Sequence, residues 1–427
     1  MSIPTLPYRI HSDLTAAIDT AALNLDAVRA ILSGIQREPE PLPGYTLRPG
    51  DKPAEAVADM AAGDTMWVAD GVHPYPIHLP AAINVRAVEG AEPVVSGWVR
   101  MPWEKYDERF GEYVIYRLRW DRQALGLGHH MVTNAAFLAA PDGPARLAAH
   151  NAATAPELVR YNDEPLARYP VSQVGASLMR QGYDEKAGYI YVSLPAGADL
   201  DRLEVARYPQ LFTAAEGVAG ITVSGITFTG AANTHKQGAF ELHSDGNVID
   251  VAVELVNSLA FSVRGIGLDA QMRSYRAGQM GHWIKAQKSK LVLNHADSNW
   301  RGSDAGWHAS NKFEQSLEND VSIMSVNSTG PGAWFDVGNH ANRVHLSLHG
   351  SRKNGLMVEH YAEDNTFSGV ILDTQPLGRW AGSDIQIQSN CRNNVLDGLE
   401  IVGNLVPYWL VYKTDESRGP SGPNTFR

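Results

Sequence analysis

The 427-residue chain holds a single cysteine, Cys391, which excludes an intrachain disulfide and any zinc cluster built on thiolates. No apolar run approaches the ~18 residues a membrane-spanning helix needs. The start lacks a basic stretch followed by an apolar one, so no signal peptide is expected in this numbering. Two compartments fit that pattern: the cytoplasm, or the outside after removal of a leader. Positive charge is also short, 36 Lys and Arg against 47 Asp and Glu, for a net charge of −11. With no Lys/Arg stripe to neutralise phosphates, nucleic acid is excluded as a partner. No Gly loop followed by Lys-Ser/Thr exists to cradle a nucleotide. The same acidity disfavours a densely anionic polysaccharide as substrate, and no cofactor or metal set is expected.

What the chain does have is a repeat. Val292, Val321, Val344, Phe367 and Val395 open similar strands at intervals of 29, 23, 23 and 28 residues. Periods of this length mark a solenoid, and these segments are too short and too β-branched for helical repeats. Asn319, Asn342, Asn365 and Asn394 fall at one turn position, as a buried asparagine ladder requires. The expected division is a helical cap over 1–49, a solenoid over 50–410 and a tail over 411–427. Ser12 caps a helix with apolar residues from Leu14 to Ile35. That helix plugs the first rung or serves as a contact for a homo-oligomer. Between about 100 and 205, Leu158–Pro170 and Gly188–Pro195 read instead as antiparallel strands of a small β insertion. His129-His130 sits in that insertion; adjacent histidines point to opposite sides of a strand, which argues against a metal site. The Gly-, Pro- and Ser-rich stretch from Ser417 reads as a loose end.

The organising stretch is Gly330-Pro-Gly-Ala-Trp-Phe-Asp336-Val-Gly-Asn339, answered one repeat later by Gly355-Leu-Met-Val-Glu359-His360. The common period puts Asp336 and Glu359 side by side on consecutive rungs. Parallel strands lie ~4.8 Å apart, close to the ~5–5.5 Å separating the two carboxyl groups of a retaining glycosidase. On that register one sheet face carries an exposed polar row of Glu241, Lys285, Glu314, Asp336, Glu359 and Gln386. Trp300 and Trp307 lie in the long polar loop Asn299–His308 just before the Glu314 rung, and Trp334 is two residues from Asp336. Indole faces pack on the apolar face of a sugar ring. Trp300, Trp307, Asp304, Lys285, Glu314, Trp334 and His360 are therefore the candidate substrate-binding residues, with carbohydrate the expected partner. Arg301 and His308 compete with Asp304 for the polar work of the loop.

The opening Ala62-Gly-Asp-Thr-strand-Asp70-Gly, with Val95–Trp98 and Tyr113–Leu118 continuing it, resembles right-handed parallel β-helix proteins. Asn299–Phe313, Gly330–Asn339 and Val358-Glu359 are similar to the β-helix glycoside hydrolases of families 120 and 141, over most of residues 50–410. That resemblance implies an all-β, right-handed parallel β-helix and a glycosidase with Asp336 as nucleophile and Glu359 as acid/base. The N-terminal helix and small insertion depart from the pattern. Two rival readings share the fold. A polysaccharide lyase would use Lys285 or Arg301 as base on a uronate, and a glycan-binding protein would have no turnover at all.

Overall fold

The computed structural model describes residues 44–109, 112–127, 155–298, 308–374, 384–402 and 422–427. The expected N-terminal helix, His129-His130 and the loop with Trp300, Arg301, Asp304 and Trp307 lie outside them. The protein is a parallel β-helix of two sheets between which the chain alternates. One sheet runs from Tyr45–Leu47 through Thr222–Thr229, Asp320–Val326, Arg343–His349 and Thr366–Leu372 to Val395–Val402. The other stacks Ile77–Leu79, Phe212–Ala214, Gly238–His243, Leu259–Ile266, Met280–Gln287, Ala309–Phe313, Ala333–Phe335, Leu356–Glu359 and Ile385–Gln388 in order. Neighbouring strands in both are parallel, and the register Val321, Val344, Phe367, Leu396 follows the sequence repeat within one residue.

Alternation along each strand sends every second side chain inward. Phe212 and Phe240 stack at 4.5 Å with planes 7° apart, and Phe313 and Phe335 at 4.5 Å and 2°. Polar groups inside the coil must be paired, and the asparagines do this. Asn342 Nδ2 donates to Ser316 O (2.9 Å) and Asn365 Oδ1 (2.8 Å), while its Oδ1 accepts from Asn319 N (3.1 Å) and Nδ2 (2.8 Å). Asn365 and Asn394 repeat the pattern. Asn342→Ala strands several buried donors and acceptors at once, at about 1–3 kcal/mol each. A large drop in urea midpoint is expected, and an unchanged midpoint would show the ladder to be incidental.

The core is not wholly apolar. The His282 ring continues the phenylalanine stack, 5.0 Å from Phe261 at 11°, and its Nδ1 is 2.8 Å from Asn311 Oδ1. His295 Nδ1 lies 2.6 Å from Ser274 Oγ. Burial pushes His282 down to about 3 and His295 well below its usual value.

Two expectations are corrected here. Tyr113–Arg119 is not a rung; it pairs antiparallel with Tyr189–Pro195 and Glu104–Arg109 in the insertion. The insertion has its own core of Trp98, Trp103, Trp120, Leu158, Ile190 and Val192. The chain end is not loose either. Thr425–Phe426 pairs parallel with Val395 and Leu396, and Asn424 Oδ1 accepts from Asn394 Nδ2 (3.0 Å), extending the ladder.

Candidate active site

Phe335 and Val358 belong to the solenoid core, whereas Trp334 and Met357 belong to a separate small cluster. Asp336 and Glu359 share the parity of that second pair, so they stand on the outer face of the nine-stranded sheet. Their rungs are adjacent, Phe335 opposite Val358 in the parallel register. The sequence predicts an exposed row, and here the structure differs. Asp336 is 6% and Glu359 4% accessible, and Lys312 is fully buried. The Lys285 side chain, two rungs before Asp336, is 29% accessible. The site is therefore an enclosed polar cluster at one end of a more open row.

Each carboxylate has its own set of partners. Asp336 Oδ2 is 2.7 Å from the Lys312 ammonium, and Oδ1 is 2.7 Å from His360 Nδ1. Its backbone N–H donates to Phe313 O (2.9 Å) and its carbonyl accepts from Asn339 Nδ2, fixing it just past the strand end. Glu359 Oε1 accepts from the Trp334 indole N–H (3.1 Å), and Oε2 accepts from Gln388 Nε2. His360, in the left-handed region at φ 55°, also comes within 3.5 Å of Glu359 Oε1. That backbone turn brings the ring back between the two acids.

The partners set opposite protonation. Burial by itself would raise Asp336, but the Lys312 charge and hydrogen bond, aided by His360, outweigh it and hold the carboxyl below the usual aspartate range. Burial raises Glu359, and the Asp336 charge raises it further, against weaker opposing help from His360, Gln388 and Lys312. The two carboxyls are thus pushed apart, Asp336 toward its ionised form and Glu359 toward its protonated form.

Several expected residues are placed differently. Glu241 is two residues off the row, aligned through Ser262 with Trp283 and Lys312. Gln386 lies opposite Met357; Gln388 is the residue opposite Glu359. Trp334 is buried, with its N–H on Glu359 and its face 3.7 Å from the Lys312 ammonium, so it organises the acids. Glu314 bridges Lys285 and Lys312 at 3.2 Å each. That pairing leaves Lys285 poorly disposed as the base of a lyase. Lys312 is the member of this cluster that the sequence reading leaves out. Its signal was parity: in Ser310-Asn-Lys-Phe-Glu314 it shares a face with Glu314. Asp336, Glu359 and His360 also each offer a donor atom within 4.8 Å of the others, a set able to hold a metal ion. The ammonium 2.7 Å from Asp336 opposes a second cation there.

No protein-family model and no curated protein matches the chain. Among solved structures it is similar to XylC in complex with xylose, at 13% identity over 87% of this chain and 79% of that one, with TM-score 0.55. It also aligns with a glycoside hydrolase at 9% identity (85% and 88% covered, TM-score 0.49). A Yersinia enterocolitica family 28 exopolygalacturonase aligns at 11% (90% and 78%, TM-score 0.27). At this identity the first speaks to the fold alone, a parallel β-helix, and the other two carry no weight.

Proposed function

We propose that the protein is a retaining glycoside hydrolase in which Asp336 attacks the anomeric carbon and Glu359 serves as acid and then base. The observation that supports this most is the pairing of opposite environments at close range. One carboxylate oxygen of each acid lies within 4.8 Å of the other, a contact compatible with the ~5–5.5 Å between carboxyl groups in double displacement. A nucleophile must be ionised and a general acid must hold its proton at the same pH. Lys312 and His360 serve the first need, burial beside Asp336 the second.

In the first step the Asp336 carboxylate forms a bond to the anomeric carbon while Glu359 gives its proton to the departing oxygen. In the second, ionised Glu359 takes a proton from water as it displaces Asp336. The indole N–H of Trp334 and the amide of Gln388 keep Glu359 oriented through both steps. Lys312 positions Asp336 and offsets its charge.

The test is a screen of aryl glycosides with proton NMR of the first-formed anomer. Aryl xylosides come first, because a neighbour in fold binds xylose. Retained configuration is expected, and an inverted first product ends the double-displacement reading.

A further inference from the structure

The row that carries the acid pair continues beyond it. Strand register leads back from Glu359 through Asp336, Glu314, Lys285 and Arg264 to His243, one residue per rung. Its charge changes sign on the way. Over the earlier rungs it opens into a groove of ≈ 790 Å³ lined by His243, Arg264, Lys285 and Gln287, with Glu216 and Asp245 in the bordering turns.

These charged groups are not equally available. Lys285 is shared with Glu314 at 3.2 Å. Asp245 Oδ1 accepts the Ile266 N–H (2.8 Å) and so ties its turn to the end of the next strand of the sheet. Arg264 is exposed, and no ion pair to it occurs among the described residues. A guanidinium is always charged and offers a planar fork that fits two oxygens of one anionic group. Three rung steps separate Arg264 from Asp336, about 14 Å at ~4.8 Å per step. A short oligosaccharide bridges that distance.

We propose that this groove is a subsite for one anionic group, a uronate carboxylate or a sulfate ester, on an otherwise neutral oligosaccharide that reaches the Asp336–Glu359 pair. The location of the cleaved bond rests on the hydrolase reading; the anion site does not. Glu216, Asp245 and the net charge of −11 repel a chain charged at every unit, so the ligand is sparsely acidic.

Titration calorimetry on the whole protein tests this without relying on turnover. The probes are neutral-backbone oligosaccharides bearing one hexuronate, the same compounds after carboxyl reduction, and monosulfated counterparts. The acidic members are expected to bind about tenfold more tightly than the reduced ones, with the preference fading at high salt. Arg264→Ala is expected to erase the preference and Arg264→Lys to keep part of it. Preference for the uronate over the sulfate, or the reverse, identifies the group. Equal affinity for charged and reduced forms, no binding of any probe, or an Arg264→Ala protein that still prefers acid would each overturn the proposal. Acid-selective binding through Arg264 with no cleavage of any probe would sustain this site and sink the hydrolase reading instead.

Discussion

Asp336→Ala is expected to lower turnover on the order of 10⁴-fold or more, because in the proposed double displacement it removes the atom that forms the intermediate. Glu359→Ala behaves differently. Losing acid assistance costs about 10²–10⁴-fold on a sugar with a poor leaving group. An aryl glycoside with an activated leaving group still reacts with Asp336, and the enzyme then stalls as its glycosyl adduct. Azide, which needs no general base, releases it as the glycosyl azide. Intact-mass measurement should find the adduct on Glu359→Ala and never on Asp336→Ala. The pH profile follows from the same contacts. The proposed mechanism requires ionised Asp336, whose pKa is lowered, so the acid limb is expected below the usual aspartate range. It also requires protonated Glu359, whose pKa is raised, so activity persists above the usual glutamate range before falling. Lys312→Met removes the main group that outweighs burial at Asp336, and the acid limb should move up in pH. A limb that stays in place would deny Lys312 this role.

The second large effect is on stability in acid. His282 and His295 are buried neutral inside the coil, with folded pKa values below the ordinary ~6.5. Below that value the unfolded chain takes up protons that the folded chain refuses. Their contribution is therefore complete above about pH 6.5 and is lost as pH falls toward 3. By pH 4 the loss is about 3 kcal/mol for His282, from 1.36 kcal/mol per pH unit, and His295 adds a loss in the same direction. Urea midpoints at pH 7, 6, 5 and 4 should fall steeply over a range where most surface carboxylates have yet to titrate. His282→Phe, which extends the stack begun by Phe240 and Phe261, should halve the slope. A flat profile between pH 7 and 5 would show that water or a proton partner reaches these rings.

The sequence made the solenoid legible because its most constrained residues recur. Asn319, Asn342 and Asn365 are one period apart, and each must be asparagine to serve the rung on either side. The acid pair was legible for the same reason, being one period apart. Tyr113–Arg119 misled because alternating apolar residues satisfy an antiparallel sheet as well as a rung, and the strand itself does not reveal its partner. Gln386 and Gln388 share a face, so parity could not choose between them; only the register did. Lys312 is not legible in the sequence, because a lysine reads as a surface residue. Its burial depends on Asp336 and Glu314 lying close enough to neutralise it, which is a property of three rungs together.

Placing two acids on a ladder of strands has a further consequence: their separation comes in steps. For carboxylates at equivalent strand positions, neighbouring rungs give ~5 Å and skipping a rung gives ~9.6 Å. The first value suits double displacement and the second lies at the upper edge of the range for single displacement. At equivalent positions the separation is thus a discrete choice of which coil bears the second acid, set by hydrogen-bond spacing. Gln388, directly opposite Glu359 on the next strand, occupies the alternative position. Its side chain is a neutral amide, so the acid that faces Asp336 is the one on the neighbouring rung.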